Sequence, residues 1–375
     1  MQKRSLLRLL ASFMLPGAGS LLAGCGGTQH GDPADAPAPS VPPALPPRTF
    51  AYVANFDSAD ISVYEVEASG ALKPLGSVPA GAGTSSVAFH PSGRFAYAAN
   101  SGVDFVSVYD VDAETGMLTP KDPFAGGHRT RAVRIHPSGN FAYVISDDDN
   151  TFSVCSLDPD TGMLETIEHI LVGIDRNAAD IAVDPMGQFV FVAQAGGGVA
   201  SYAVEHDGRL RLVGAVGAAA SPQAAAVAPS GKFLYVALGN GQLAVHPIAA
   251  GLGAVGARTH ADAGTAASSI VTEASGRFAY AATSDLAQHR ISAFTIIPDT
   301  GALDWGSGRD RNTGVAISSL AISPSGQFVF RTSSDDNTVV PYTVDQDTGA
   351  LMLDIGDAAA TGENPVAMTV VNLTQ

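Results

Sequence analysis

The chain is 375 residues long, 46% apolar, and carries 41 glycines, 20 Lys and Arg together and a formal net charge of −16. So acidic a chain lacks the basic surface that a phosphate backbone requires, which excludes nucleic acid and leaves a cationic ligand, a metal or plain solubility as readings of the charge. The length allows a large core in one domain or two, and low charge with abundant glycine and β-branched residues favours an all-β architecture.

Residues 1–24 place Lys3, Arg4 and Arg8 ahead of an apolar stretch broken by Pro16 and several glycines. This is the pattern of a secretory signal, too short and too interrupted for a stable membrane span. It ends in Leu22-Ala23-Gly24-Cys25, which resembles the bacterial lipobox. The resemblance implies that the Cys25 thiol is acylated and becomes the new N-terminus. Gly26 in place of aspartate implies sorting to the outer membrane in a Gram-negative host. The alternative is ordinary cleavage near Ala23-Gly24, leaving a free thiol. Several acyl chains would hold the protein on a bilayer, where one would not.

Residues 26–48, GGTQHGDPADAPAPSVPPALPPR, contain seven prolines. They read, with Cys25, as a disordered, semi-stiff tether that extends roughly 70 Å at about 3.1 Å per residue. A lipidated Cys25 leaves Cys155 alone and no internal disulfide. In FSVCSL, Cys155 reads as a small apolar residue of a strand.

From residue 49 to 375 the chain repeats itself. A phenylalanine recurs as Phe50, Phe95, Phe141, Phe189, Phe233, Phe278 and Phe328, at steps of 45, 46, 48, 44, 45 and 50 residues. Two places later stands a second aromatic: Tyr52, Tyr97, Tyr143, Phe191, Tyr235, Tyr280 and Phe330. Each unit parses into four strands. In the second unit these are SSVAF (85–89), RFAYAAN (94–100), FVSVYDV (105–111) and a fourth opening with MLTP. The turn HPSG (90–93) joins the first pair, and DAETG (112–116) precedes the fourth strand. The latter recurs as EASGAL, PDTGML, EHDGRL, PDTGAL and QDTGAL, and in the fifth unit only as the degraded AGLGAV.

A four-stranded unit of this size cannot cover both its faces alone, so radial packing into a seven-bladed β-propeller is expected. RTFAYVAN at the start is a second strand without a first, and NPVAMTVVNL at the end is a first strand without followers. The C-terminal strand should therefore complete the N-terminal blade and close the ring. A monomer with no separate second domain is expected.

In such a ring the first strands line a central channel. Their starting ends share a rim with the loops between second and third strands, and the PSG and DTG turns lie on the opposite rim. Most blades offer small or polar groups at the channel rim: Ser85 and Ser86, Ser221 and Gln223, Ser268 and Ser269, Ser318 and Ser319, Asn364. Blades 3 and 4 differ, offering His128, Arg129 and Arg131, then Arg176, Asn177 and Asp180. Arginine suits a carboxylate or phosphate, and an acid or histidine beside it suits proton transfer. An ion pair across blades, such as Arg131 with Asp180, is the structural alternative. The acidic loops SDDDN (146–150) and SSDDN (333–337) match no calcium-loop spacing and read as solvated turns. No Gly-x-Ser-x-Gly elbow, phosphate loop or zinc-type Cys/His set is found. Trp305, the single tryptophan, is expected to pack. His90 precedes a turn on the far rim. Its counterparts, His136, Asp184, Ala228, Ala274 and Ser323, mark a position tolerant of many residues, so His90 reads as a hairpin residue.

PSGRFAYAAN followed by VSVYDVDAETGML resembles the seven-bladed lactonases, the 6-phosphogluconolactonase-type propellers related to carboxymuconate-lactonising enzymes, over about residues 49–375. AYVANFDSADISVYEV (51–66) also resembles the YVTN-type repeats of bacterial surface proteins. The lactonase resemblance implies a site at first-strand starts, in motifs like His-x-Ala-Asn, Pro-Arg-His and Ala-Ala-Glu/Asp-Ile. Ala178-Ala179-Asp180-Ile181 fits the last and makes Asp180 the implied acid. Arg131 falls on the arginine of the second, with Thr130 and Ala132 as its neighbours, and no His-x-Ala-Asn occurs.

Two functions follow as expectations. The first is an exported, lipid-anchored lactonase-like hydrolase without cofactor or metal. Arg131 and Arg176, with Arg129, Asn177 and Gln223 beside them, would hold an anionic lactone while Asp180 or His128 assists proton transfer. The alternative is a non-catalytic envelope propeller that binds a protein or small-molecule partner.

Overall fold

The second strand of each repeat is apolar on both sides because each blade is covered on both faces. In the computed structural model, which describes residues 47–126, 129–146, 150–172, 178–217, 220–264, 266–284, 289–306, 310–353 and 358–374, those strands are buried along almost their whole length. Phe50 to Ala54, for instance, are fully inaccessible. The described residues belong to a unit spanning Leu45–Gln375 and contain no helix.

Seven antiparallel sheets form the ring. Blade 2 runs outward through Thr84–Phe89, Phe95–Asn100, Val106–Val111 and Leu118–Pro120. The inner strands of blades 3 to 7 are Thr130–Ile135, Ala178–Val183, Pro222–Val227, Ala267–Thr272 and Ser319–Ile322. In blades 6 and 7 the outer strand is broken into two short pieces. Blade 1 is built from both ends of the chain: Pro365–Leu373 is its inner strand, paired with Arg48–Asn55 from Arg48 opposite Leu373 to Asn55 opposite Pro365. The closure expected from the two incomplete repeats is therefore present.

Each hydrophobic cluster lies between neighbouring blades. Phe95, Tyr97 and Val108 of blade 2 meet Val133, Val144 and Cys155 of blade 3 in one of them. Burial there pushes the Cys155 thiol up to about 12, so the group stays an inert, protonated packing residue.

The two most regular words of the repeat meet across this seam. The Tyr97 hydroxyl donates to the Gly162 carbonyl of the next blade's turn at 2.8 Å, and Tyr52 does the same to Gly116 at 2.7 Å. The Phe95 ring lies flat enough on Gly162 that an added Cβ would stand 2.5 Å from it, and φ there is +71°. Glycine is thus required both for the turn and for the ring above it. The degraded AGLGAV turn keeps this element: Gly253, at φ +65°, sits under Phe189. The aspartates that open these turns cap them. Asp112 accepts the N–H groups of Glu114 and Thr115, and these bonds hold its carboxyl below the usual range.

His90 and His136 join blades rather than merely ending hairpins. His90 Nε2 meets the Gly139 carbonyl at 3.0 Å, and His136 Nε2 meets that of Gly187 at 2.6 Å. Each Nδ1 is held by the serine of its own turn, Ser92 or Ser138, at 2.7 Å. The counterpart in blade 6 is Glu273, not Ala274: Gly276 N–H bonds the Glu273 carbonyl just as Gly93 N–H bonds that of His90.

Candidate functional site

The channel wall owes its chemistry to a bulge repeated near the start of the inner strand. In five blades the pairing with the second strand skips one residue: Ser85, Arg131, Ala179, Gln223 and Ser268. Blade 1 skips Val366. A bulge leaves the extra residue unpaired and re-aims it, and all six of these line a central cavity of about 770 Å³. The same position in six blades is therefore a set of six independent choices, and among them blade 3 alone places a cation there.

Arg129 stands two residues earlier, in the left-handed region at φ 50°. Its backbone N–H bonds the Asp104 carboxylate at 3.1 Å, and its Nε bonds the Ser101 carbonyl at 3.3 Å. Both arginines line the cavity, as do Asp180 and Gln223. Gln223 points its amide back to Ser221. His128, Arg176, Asn177, Cys25 and the acids Asp147 to Asp149 and Asp285 lie outside the described residues.

The ion pair expected between Arg131 and Asp180 is made instead by Arg134, whose Nη2 lies 2.8 Å from Asp180 Oδ1. The bulge takes Arg131 out of the strand pairing and leaves it on the cavity wall, while Arg134, three residues further along the strand, reaches across to blade 4. Arg134 was not among the sequence candidates. Its signal was available: the matching positions are Ala88, Ala182, Ala226, Val271, Ala321 and, in blade 1, Thr369, so a charge there is out of pattern.

Asp180 is well organised. Oδ1 accepts from Arg134 and from the Ile181 N–H at 2.8 Å, and Oδ2 accepts the Ala225 N–H of blade 5 at 3.0 Å. Arg134 also reaches Ser86 of blade 2 at 3.2 Å. One polar chain thus ties blades 2, 3, 4 and 5 around the channel. A carboxylate offers about four acceptor positions; Oδ1 uses two and Oδ2 one.

Of the acidic loops, the described one at 333–337 uses its carboxylates on its own chain. Asp335 accepts the Ala316 N–H and Asp336 the Thr338 hydroxyl, and no group of three or more metal-ligating side chains occurs among the described residues. Trp305 is 40% exposed and lies under the Arg290 guanidinium, 5.2 Å from ring centre, while its indole donates to Asp310 at 2.9 Å.

The model of the family described as lactonase, 7-bladed beta-propeller matches residues 37–247 and 252–370. No curated protein matches the chain. Among solved structures, a candidate 6-phosphogluconolactonase from Bacteroides uniformis is 20% identical, with a TM-score of 0.75 over 86% of this chain and 99% of that one. A second from Bacteroides fragilis is 19% identical, with a TM-score of 0.76 over 89% and 100%. The periplasmic gluconolactonase of Pseudomonas aeruginosa is 18% identical, with a TM-score of 0.74 over 87% and 99%. At these identities the likeness to each structure is one of fold.

Proposed function

This chain belongs to the seven-bladed β-propeller lactonase family, and from that premise we propose that it hydrolyses an anionic lactone in the arginine-bearing mouth of its channel. The observation that carries the reading is the bulge at Arg131, which presents a cation to a cavity also lined by Arg129, by Arg134 and by the ordered carboxylate of Asp180. Arg131 and Arg129 would hold the substrate's anionic group or the oxyanion that forms on the carbonyl. Asp180 Oδ2 keeps one acceptor position for a water molecule. Water adds to the lactone carbonyl as its proton passes to Asp180; the ring C–O bond then breaks, and that proton goes to the departing ring oxygen, giving the open hydroxy acid.

The test is a panel of lactones with and without a carboxylate or phosphate. Turnover of the anionic members is expected, and Arg131→Ala should lower kcat/KM by roughly 10- to 100-fold, the worth of one charge-assisted hydrogen bond. Turnover unchanged in Arg131→Ala removes this site. A second reading, a non-catalytic propeller that binds an anionic ligand or an envelope partner, is favoured by the structural use of Asp180 across three blades. Saturable binding without turnover of any lactone would establish it.

We also propose that the protein works outside the cytoplasm on a lipid at Cys25. The signal-like residues 1–24 support this, and one structural neighbour is described as periplasmic. The described chain begins beside the turn rim, where Arg48 bonds the Glu114 carbonyl. Labelled fatty acid should enter the wild type and not Cys25→Ser; equal labelling of both disproves the anchor.

A further inference from the structure

The channel mouth opens sideways. A second cavity, of about 480 Å³, shares Phe56, Ser101 and Arg129 with the central one and runs outward between the upper loops of blades 1 and 2. Its remaining walls are Asp57, Ala59, Ala82, Gly83 and Gly102. Apart from Arg129 at the junction, neither the lactone-ring site nor the bulge pattern uses it.

The groove is preformed. Ser101 N–H bonds the Gly83 carbonyl and Gly102 N–H that of Ala82, both at 2.9 Å. Ala80 N–H bonds the Ala59 carbonyl at 2.9 Å, and Phe56 N–H that of Asn364 at 2.9 Å. The two glycines let these backbones touch: a Cβ on Gly83 would stand 2.7 Å from the Gly102 nitrogen, and one on Gly102 would stand 2.8 Å from the Ala82 carbonyl oxygen. The result is a smooth wall of backbone and methyl groups whose hydrogen bonds are already made. Between Asp57 on one side and Arg129 on the other, this stretch of wall favours a flat apolar partner. Phe56 offers a ring at the junction, and the Arg129 guanidinium, steadied by its bond to Ser101, suits stacking on an aromatic face.

We infer that the substrate is longer than a lactone ring: the anionic ring sits in the channel, and an aromatic substituent on it lies in the groove of Phe56, Ala82, Gly83, Gly102 and Arg129. This inference rests on the lactonase reading and assigns the substrate class of that same site. It makes Ala82, which is exposed and remote from Asp180, a specificity residue.

The experiment compares two γ-lactone carboxylates, 5-oxotetrahydrofuran-3-carboxylate and its 2-phenyl derivative, on the wild type, Ala82→Trp and Ala82→Leu. The wild type should favour the phenyl compound by about tenfold or more in kcat/KM, the worth of burying one ring in part. Ala82→Trp should erase that preference and leave the compact lactone within about twofold, while Ala82→Leu, which perturbs folding less, should erase part of it. Equal wild-type rates on both lactones, or a preference that survives Ala82→Trp, overturns the groove assignment. If neither lactone is opened, the hydrolase reading fails on its own, and calorimetric binding of the two ring-opened carboxylates decides the groove. Tighter binding of the phenyl acid to wild type, lost in Ala82→Trp, upholds it, and equal binding overturns it.

Discussion

Asp180→Asn is expected to lower kcat for lactone opening by roughly 10²- to 10⁴-fold, the usual contribution of a positioned general base. The carboxylate is fixed from three sides, by Arg134, Ile181 and Ala225, so the position of its remaining acceptor site is set before substrate arrives. The amide nearly keeps the shape and removes the basicity. It also places an NH₂ against either the Ala225 N–H or the Arg134 guanidinium, so some loss of stability accompanies the substitution. Two readouts separate the roles. Hydroxylamine, a nucleophile that needs no base, should restore turnover to Asp180→Asn if a base was lost; it would restore nothing if the ring were merely loosened. Arg134→Gln breaks the same ion pair yet leaves the carboxylate, and is expected to cost far less in kcat than Asp180→Asn. A kcat for Asp180→Asn within a few-fold of wild type would assign Asp180 to holding blades together and leave the base elsewhere.

How much of this was legible follows from which contacts are local. The aromatic pair and the Asp-Thr-Gly turn recur because every blade repeats one contact, Phe95 and Tyr97 upon Gly162, and repetition makes even a long-range contact visible in sequence. The ring closure was legible for the same reason, since an incomplete unit at one end is completed only by the other. The site is legible only where it breaks the repeat. Arg131 and Asp180 stood out as charges at first-strand starts. Arg134 also breaks the repeat, but its reach to Asp180 could not be read, because strand alternation counted from the start of the strand misplaces every residue after a bulge, and bulges are not written in residue type. The Arg131–Asp180 pairing failed for that reason. His90 reads in sequence as a hairpin residue, but its bond to Gly139 spans 49 residues, and nothing local announces it. The count that set Ala274 beside His90 slipped by one because Glu273-Ala274-Ser275-Gly276 lacks the proline that marks the turn elsewhere.

Removal of residues 364–375 is expected to abolish the folded ring rather than trim it. Pro365–Leu373 is the innermost strand of blade 1 and pairs along the full length of Arg48–Asn55. Without it the backbone groups of a strand that is buried from Phe50 onward lose their partners on the channel side. Each orphaned group costs about 1–3 kcal/mol when shielded from water, and four such groups already approach the roughly 5–15 kcal/mol that separates a domain from its unfolded chain. Blade 1 also covers its neighbours: Leu373 packs among Phe50, Tyr52 and Tyr109, and Met368 among Tyr64 and Phe330. Both seams would open together, exposing unpaired strand edges that favour aggregation. The truncated protein should therefore lack a cooperative thermal transition at 25 °C and above, and a peptide of residues 364–375 added in trans should restore one by supplying the missing strand. A truncated protein that still melts cooperatively, only a few degrees below the full chain, would mean that the five remaining interblade seams hold the ring and that the closing strand is dispensable.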